Sequence, residues 1–314
     1  MTSLSINLFL FAERAQFPGP ARTVQMSETM HAKIHAKACA KAHTRTSRQN
    51  AGLPALSELG ADFLLASRLQ RLLWSLLPLT TLAIFSATYA LRYYALLPVV
   101  ILAHFIVSTT FTHDVVHGSA GAGKRTAEWL LFGMSLLLLE SGHAFRHAHL
   151  YHHSHCLEDD DFEGSPARMS LLGALLAGPL YLPRHWLHAY RLTKRKDQRR
   201  WLLAESLAPI VLVSCAALLL SWSAAPLTYF GFMWFGSWLY PVTTAWLPHF
   251  KPDQSMLGHS RTLRGKIIPF LLCNLSYHLE HHLYPQVPSF NLPRLAEKLD
   301  PYFAERGVYP VKVV

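Results

Sequence analysis

Apolar positions in this chain fall in long uninterrupted blocks rather than at the spacing of an amphipathic surface helix. The first block runs from Leu72 to Leu91 and the second from Leu96 to Thr112. Tyr93 and Tyr94 lie in the connection, where aromatic side chains favour a membrane–water interface. A helical span needs about 20 apolar residues, or about 17 at the short end, so these two blocks predict a helical hairpin. Trp129 to Leu139 covers only 11 residues and is too short to cross. Leu171 to Leu182 is equally short and is further weakened by Gly173, Gly178 and Pro179. Both read as interfacial or re-entrant helices. Trp201 to Trp222 and Leu227 to Leu247 are again long enough, and they predict a second hairpin. The expected fold is all-α and integral to a membrane, with four transmembrane helices in two hairpins and interfacial helices beside them.

Residues 1–60 depart from this pattern, being rich in Ser, Thr, Ala, Lys and His with acidic residues few until Glu58. They read as a mobile, basic N-terminal tail, leaving 61–314 as the membrane domain. The opening SLSINLFLF is too short to span and lacks a preceding basic stretch, so no secretory signal is expected.

Composition agrees with lipid burial. The chain is 51% hydrophobic and 15% charged, against roughly a quarter charged in soluble domains. The formal net charge is +10. Its Lys and Arg sit between apolar blocks, as in RLTKRKDQRR at 191–200, which favours lipid headgroups as the acidic partner. No aromatic-interleaved basic surface suggests nucleic-acid binding, and none is expected. Basic segments stay cytoplasmic, which places the tail and the 191–200 loop on that side. Two crossings per hairpin then bring 113–200 and 249–314 there as well, as a cytosolic cap. Four scattered cysteines with no CxxC pair argue against a disulfide framework, a zinc ribbon or a thiolate iron–sulfur site.

Nineteen histidines change the picture. They cluster in HDVVH at 113–117, in RHAHLYHHSHC at 146–156 and in HLEHH at 278–282. On a helix, residues three and four apart share a face. His113 and His117 therefore point together, as do His149, His152 and His153, and likewise His278, His281 and His282. All eight fall on the predicted cytoplasmic side. One zinc needs only four ligands, so eight imidazoles suit two transition-metal ions; imidazole alone fits iron, zinc, copper or nickel. His249, where the fourth block emerges on the same side, is a ninth candidate. Asp114 and Glu280 sit beside ligands and are candidates to accept a second ring N–H, and Asn274, one helical turn before His278, is a candidate to hold a metal-bound water. His104 lies inside the second block and reads as packing or cavity lining, and His31, His35 and His43 read as exposed tail residues. The acidic run EDDDFE at 158–163 divides evenly between a solvated loop and a metal-site role.

These boxes resemble the membrane fatty-acid desaturase superfamily. HDVVHG matches its first box, Arg146-x-x-His149-x-x-His152-His153 its second, and NLSYHLEHHLYPQVPSFNLPRL its third. The resemblance covers residues 70–300 or so. It implies a four-helix membrane anchor under a cytosolic cap, two iron ions, and O2-dependent oxidation of an unactivated C–H bond in a lipid. The family's extra histidine maps onto His249. Within the superfamily, the third box and its tail look like acyl-lipid desaturases, whereas WLPHFKP resembles the carotenoid ketolase and hydroxylase branch. The main expectation is a fatty-acyl desaturase with a multi-pass topology and a cytoplasmic active site; a carotenoid or other hydrocarbon hydroxylase is the alternative. No HPGG haem signature or cysteine cluster is present. The electron donor is therefore expected to be a separate protein of ferredoxin, rubredoxin or cytochrome b5 type. A metal transporter would place ionisable residues near the midplane of several spans, but the last two blocks carry only Glu205.

Overall fold

A computed structural model describes residues 52–253 and 255–314. Most of the predicted tail, including His31, His35 and His43, lies outside the described residues. From Leu53 onward the chain is packed rather than trailing. Leu53, Leu59 and Phe63 are buried against Leu283, Tyr284 and Leu299, and the Tyr284 hydroxyl donates to the Pro54 carbonyl at 2.8 Å.

The protein is mostly helical. A short α1 (Leu56–Leu59) precedes α2 (Arg68–Ala90) and α3 (Leu97–His117). Next come α4 (Lys124–Leu138), α5 (Gly142–Ser154), α6 (Leu171–Leu192) and α7 (Lys196–Leu218). After α8 (Ala225–Ser237) a π-helical segment spans Pro241–Trp246. The chain ends with β1 (Leu263–Arg264), α9 (Ile267–Leu271), α10 (His278–Leu283), α11 (Leu292–Glu305) and β2 (Val311–Lys312). The two strands pair in parallel, Leu263 opposite Val311.

Among the described residues, three helical stretches are long and apolar enough to cross a membrane: Ala61–Ala90, Tyr94–His117 and Lys196–Leu218. Two of them are inside out. Helix α2 buries Pro78, Thr81, Phe85 and Thr88 while Leu69, Leu72, Leu73, Leu76 and Leu79 are exposed. Helix α7 buries Leu202, Glu205 and Ala216 and exposes Leu207, Ile210, Val211 and Leu218. Water would penalise such faces heavily, whereas lipid tails are as apolar as leucine. The chain is a membrane protein. Helix α2 starts at a capping box, the Ser67 hydroxyl accepting from Gln70 N at 3.1 Å and the Gln70 side chain from Ser67 N at 2.9 Å.

Two expected blocks differ from their predicted lengths. Leu171–Leu182 extends into the 22-residue α6, whose second half carries Arg184, His185, His188 and Arg191. The fourth apolar block is broken. Helix α8 stops at Ser237, four residues before Pro241, whose ring clashes with the carbonyl at that distance and whose nitrogen cannot donate. The chain turns at Trp238 and continues in the wider π form. Gly178 of α6 lies against this turn, and a Cβ there would collide with the Trp238 carbonyl.

Candidate metal centre

All three histidine boxes are helical. His113 and His117 occupy the last turn of α3, which Gly118 terminates in the left-handed conformation at φ 73°. His149, His152 and His153 lie on α5, whose N-terminus is capped by Ser141 accepting from Ala144 N at 3.1 Å. His278, His281 and His282 lie on the single turn and a half of α10. His249 follows the π segment, its backbone N–H donating to the Ala245 carbonyl at 3.2 Å.

The boxes do not each form one half-cage; they split. His113, His117, His149 and His281 form one group and His152, His249, His278 and His282 another, each with ligand atoms within 4.8 Å of one another. Helix α5 gives one histidine to each group, and α10 gives one to the first and two to the second. His153 lies between them, with Nε2 2.8 Å from His281 Nε2 and its ring stacked on His282 at 4.3 Å.

Nε2 atoms approach closely: 2.9 Å from His113 to His281, 3.1 Å from His278 to His249 and 3.0 Å from His282 to His278. Metal–imidazole bonds of about 2.1 Å at right angles would put two ligand nitrogens about 3 Å apart. The ring hydrogens sharpen this fit. His152 Nδ1 donates to Asp161 Oδ2 at 2.7 Å, and His249 Nδ1 donates to the His259 carbonyl at 2.7 Å. In the neutral rings both Nε2 atoms are then bare lone pairs, and they face each other at 3.2 Å. A cation between them turns that repulsion into binding. A proton on His152 would also relieve it; burial opposes that proton, but Cys156 and Asp161 outweigh burial and raise the pKa. In the first group His149 Nδ1 donates to Glu163 Oε1 at 2.7 Å, leaving a buried Nε2 with no partner. Burial, then repulsion from neighbouring imidazoles, holds His149, His281 and His282 well below the usual histidine range. Their lone pairs are available, as metal binding requires.

The carboxylates behind the rings are mostly not those expected. Asp161 and Glu163 serve His152 and His149, so the acidic run is divided: these two are buried while Glu158 and Asp159 are exposed. Burial pushes Glu163 up to about 8. Asp114 reaches His113 Nδ1 only at 3.4 Å; its stronger bonds come from Ser289 Oγ at 2.8 Å and Trp74 Nε1 at 3.1 Å. Glu280 accepts from Thr262 Oγ1 at 2.9 Å and Arg264 Nη2 at 2.5 Å, not from a ring nitrogen. Asn274 lies outside α10, in a left-handed turn at φ 64°, so the helical-turn argument for placing it beside His278 does not apply.

Other histidines lie outside the two four-histidine groups. His104 bridges Thr81 Oγ1 and Tyr229 OH at 2.8 Å each. His143 sits between Glu205 Oε1 at 2.5 Å and Glu128 Oε2 at 2.8 Å. His259, besides its carbonyl bond to His249, forms a smaller group with Cys156 and His282. Sequence spacing had no signal for His259, because the loop from 250 to 262 brings it back.

A family model described as fatty acid desaturase matches residues 91–312. A curated relative from Bos taurus, "Sphingolipid delta(4)-desaturase/C4-monooxygenase DES2", is 27% identical over 212 residues. The match covers 62% of this chain and 62% of that protein, so the chain spans about three-fifths of the relative's length.

Proposed function

The chain belongs to the fatty acid desaturase family, and from that premise we propose that it is an O2-dependent di-iron oxidase that inserts a C=C bond into a fatty-acyl chain of a lipid. The observation that carries this reading is the pair of four-histidine groups whose ligand atoms converge within 4.8 Å. His113, His117, His149 and His281 would hold one iron, and His152, His249, His278 and His282 the other, with His153 beside both. When bound, the two irons would supply O2 activation and cleavage of an unactivated C–H bond, using two electrons from a separate donor protein.

The chain's own residues do the rest. Asp161, Glu163 and the His259 carbonyl fix each ring's tautomer and raise its basicity. Asp114 ties α2, α3 and the segment after α10 together at the first group. Burial of every ring in both groups except the half-buried His117 keeps bulk water from the reacting carbon. Four crossings, the fourth formed by α8 with the π segment, would leave all nine histidines on the cytoplasmic side. The bovine relative's printed activities, desaturation and C4 monooxygenation of a sphingolipid, support a lipid alkyl chain as the target.

The test is expression in two hosts, one with ordinary lipids and one accumulating β-carotene, read by lipid mass spectrometry. Loss of two hydrogens from acyl chains supports the proposal; added oxygen on carotene alone refutes it. His152→Ala and His281→Ala should abolish turnover and deplete iron, and turnover with full iron content in either would sink the assignment.

A further inference from the structure

A smaller cluster stands against the second histidine group. Cys156, His259 and His282 bring their ligand atoms within 4.8 Å of one another. Cys156 lies two residues past the end of α5, in a turn tied down by Asp161, whose Oδ2 accepts from Leu157 N at 2.9 Å. Its Sγ is 3.9 Å from His152 Nε2. His259 comes from the 250–262 loop, and its ring packs edge-on against His282 at 4.9 Å. His259 Nδ1 donates to the Ser255 carbonyl at 3.1 Å, so in the neutral ring Nε2 keeps the lone pair.

Three contrasts set this cluster apart from the four histidines beside it. The first is access: Cys156 and His259 are half-buried, whereas His152, His249, His278 and His282 are all buried. An ion arriving from water meets Cys156 and His259 first. The second is softness. Thiolate with imidazole is a zinc donor set, and bonds of about 2.3 Å to sulfur and about 2.1 Å to nitrogen at tetrahedral angles put S and N about 3.6 Å apart. Zinc also stands above ferrous iron in affinity for such donors. The third is charge. Four neutral imidazoles leave a divalent ion uncompensated, whereas one thiolate halves its net charge and lowers the cost of holding it away from water.

We infer that Cys156, His259 and His282 form a zinc site that competes with the second histidine group for His282. This goes beyond the oxidase reading above and rests on it only for the identity of the ion displaced. His282 belongs to both clusters, its Nε2 lying 3.0 Å from His278 Nε2. As the zinc–sulfur bond forms, the Cys156 thiol releases its proton to water. Water also fills the fourth position on zinc. With His282 drawn away, the second group retains His152, His249 and His278, so excess zinc switches the protein off by unloading its iron.

The test begins on the metal-depleted full-length chain, with cobalt as a coloured probe for zinc. Wild type should show a thiolate-to-cobalt charge-transfer band that added zinc removes, and Cys156→Ser should lack it. No band, or a band that survives in Cys156→Ser, overturns the inference. Neither outcome depends on iron or turnover, so the oxidase reading stands or falls separately. Iron-loaded chain is then titrated with zinc, and its iron is counted by elemental analysis. Wild type should release about half of its iron, and Cys156→Ser and His259→Gln should need roughly tenfold more zinc for the same loss. Each variant is judged against its own zinc-free iron content. Equal zinc sensitivity in wild type and both variants would mean that zinc displaces iron within the histidine groups directly, and it too overturns the inference.

Discussion

Asp161→Asn is the most informative single change at the candidate metal centre. Asp161 Oδ2 accepts from His152 Nδ1 at 2.7 Å and from Leu157 N at 2.9 Å, while Oδ1 accepts from Gly164 N at 2.9 Å. Three donors converge on a carboxylate that is 1% exposed. Asparagine has almost the same shape but one oxygen fewer. If its oxygen takes the Oδ2 place, its amide N–H2 faces the Gly164 N–H. If it flips, the amide faces His152 Nδ1 and Leu157 N. Either orientation sets donor against donor, at a cost of about 1–3 kcal/mol in stability. Loss of the carboxylate behind a ligating histidine also lowers metal affinity by roughly 10–100-fold. That loss should be confined to the second group, because only His152 leans on Asp161. Iron should therefore fall from about two per chain toward one as a chelator is titrated, measured by elemental analysis with thermal unfolding alongside. Glu163→Gln should weaken the first group instead. If Asp161→Asn keeps both irons at the chelator concentration that wild type tolerates, the orienting role assigned to Asp161 is wrong.

Other expectations follow from features away from the histidine groups. Glu205→Ala removes the acceptor of Ser141 Oγ, His143 N and His143 Nδ1 at the start of α5; breaking this buried pair should cost about 3–5 kcal/mol, and an unchanged unfolding midpoint would refute it. Gly178→Ala should destabilise by about 1–3 kcal/mol by driving α6 off the Trp238 turn, read by the same melt. For pH, the bond from His143, with help from Arg146, lowers Glu128 from 4.5 to about 2 against burial. A depressed carboxylate stabilises above its unfolded pKa, so this contribution should fade as pH falls from 4.5 toward about 2. His143 moves the other way: Glu128 and Glu205 outweigh burial and raise it. Its contribution is complete below 6.5 and lost as pH rises through the raised value. The melting difference between wild type and Glu128→Gln should therefore narrow at both ends of the pH range; a constant difference would contradict the pairing.

Much of this was legible in the sequence because the signals were periodic. Spacings of three and four within HDVVH, HLYHH and HLEHH mark helix faces, and the structure has helices at all three. How the boxes divide was not legible. His149 and His152 are one helical turn apart, yet each turns to a different group, a choice set by where α3 and α10 meet α5. Asp161 and Glu163 sat in an acidic run whose composition also fits a solvated loop; only the fold brings alternate members inward. Block length was a sound guide for α2, α3 and α7, but it gave no warning of the break in the fourth block, because hydropathy is blind to the backbone effect of Pro241. At the N-terminal side, Leu53 and Leu59 fell inside the stretch read as a mobile tail, since the α10 and α11 residues they pack against lie more than 200 residues away.

The π-helical segment has a further consequence for how this chain tolerates change in length. A π turn holds one residue more than an α turn between bonded groups, and each residue of an α-helix advances the chain by about 100° around the axis. Deleting one residue within Pro241–Trp246 would take out that extra residue and let an ordinary turn close with His249 near its present bearing, whereas inserting one would swing it about a quarter turn from its group. Point changes that keep the spacing, such as Val242→Ile, leave the histidine's bearing intact. Over these six residues, Pro241–Trp246, added length is under stricter constraint than lost length or changed spelling.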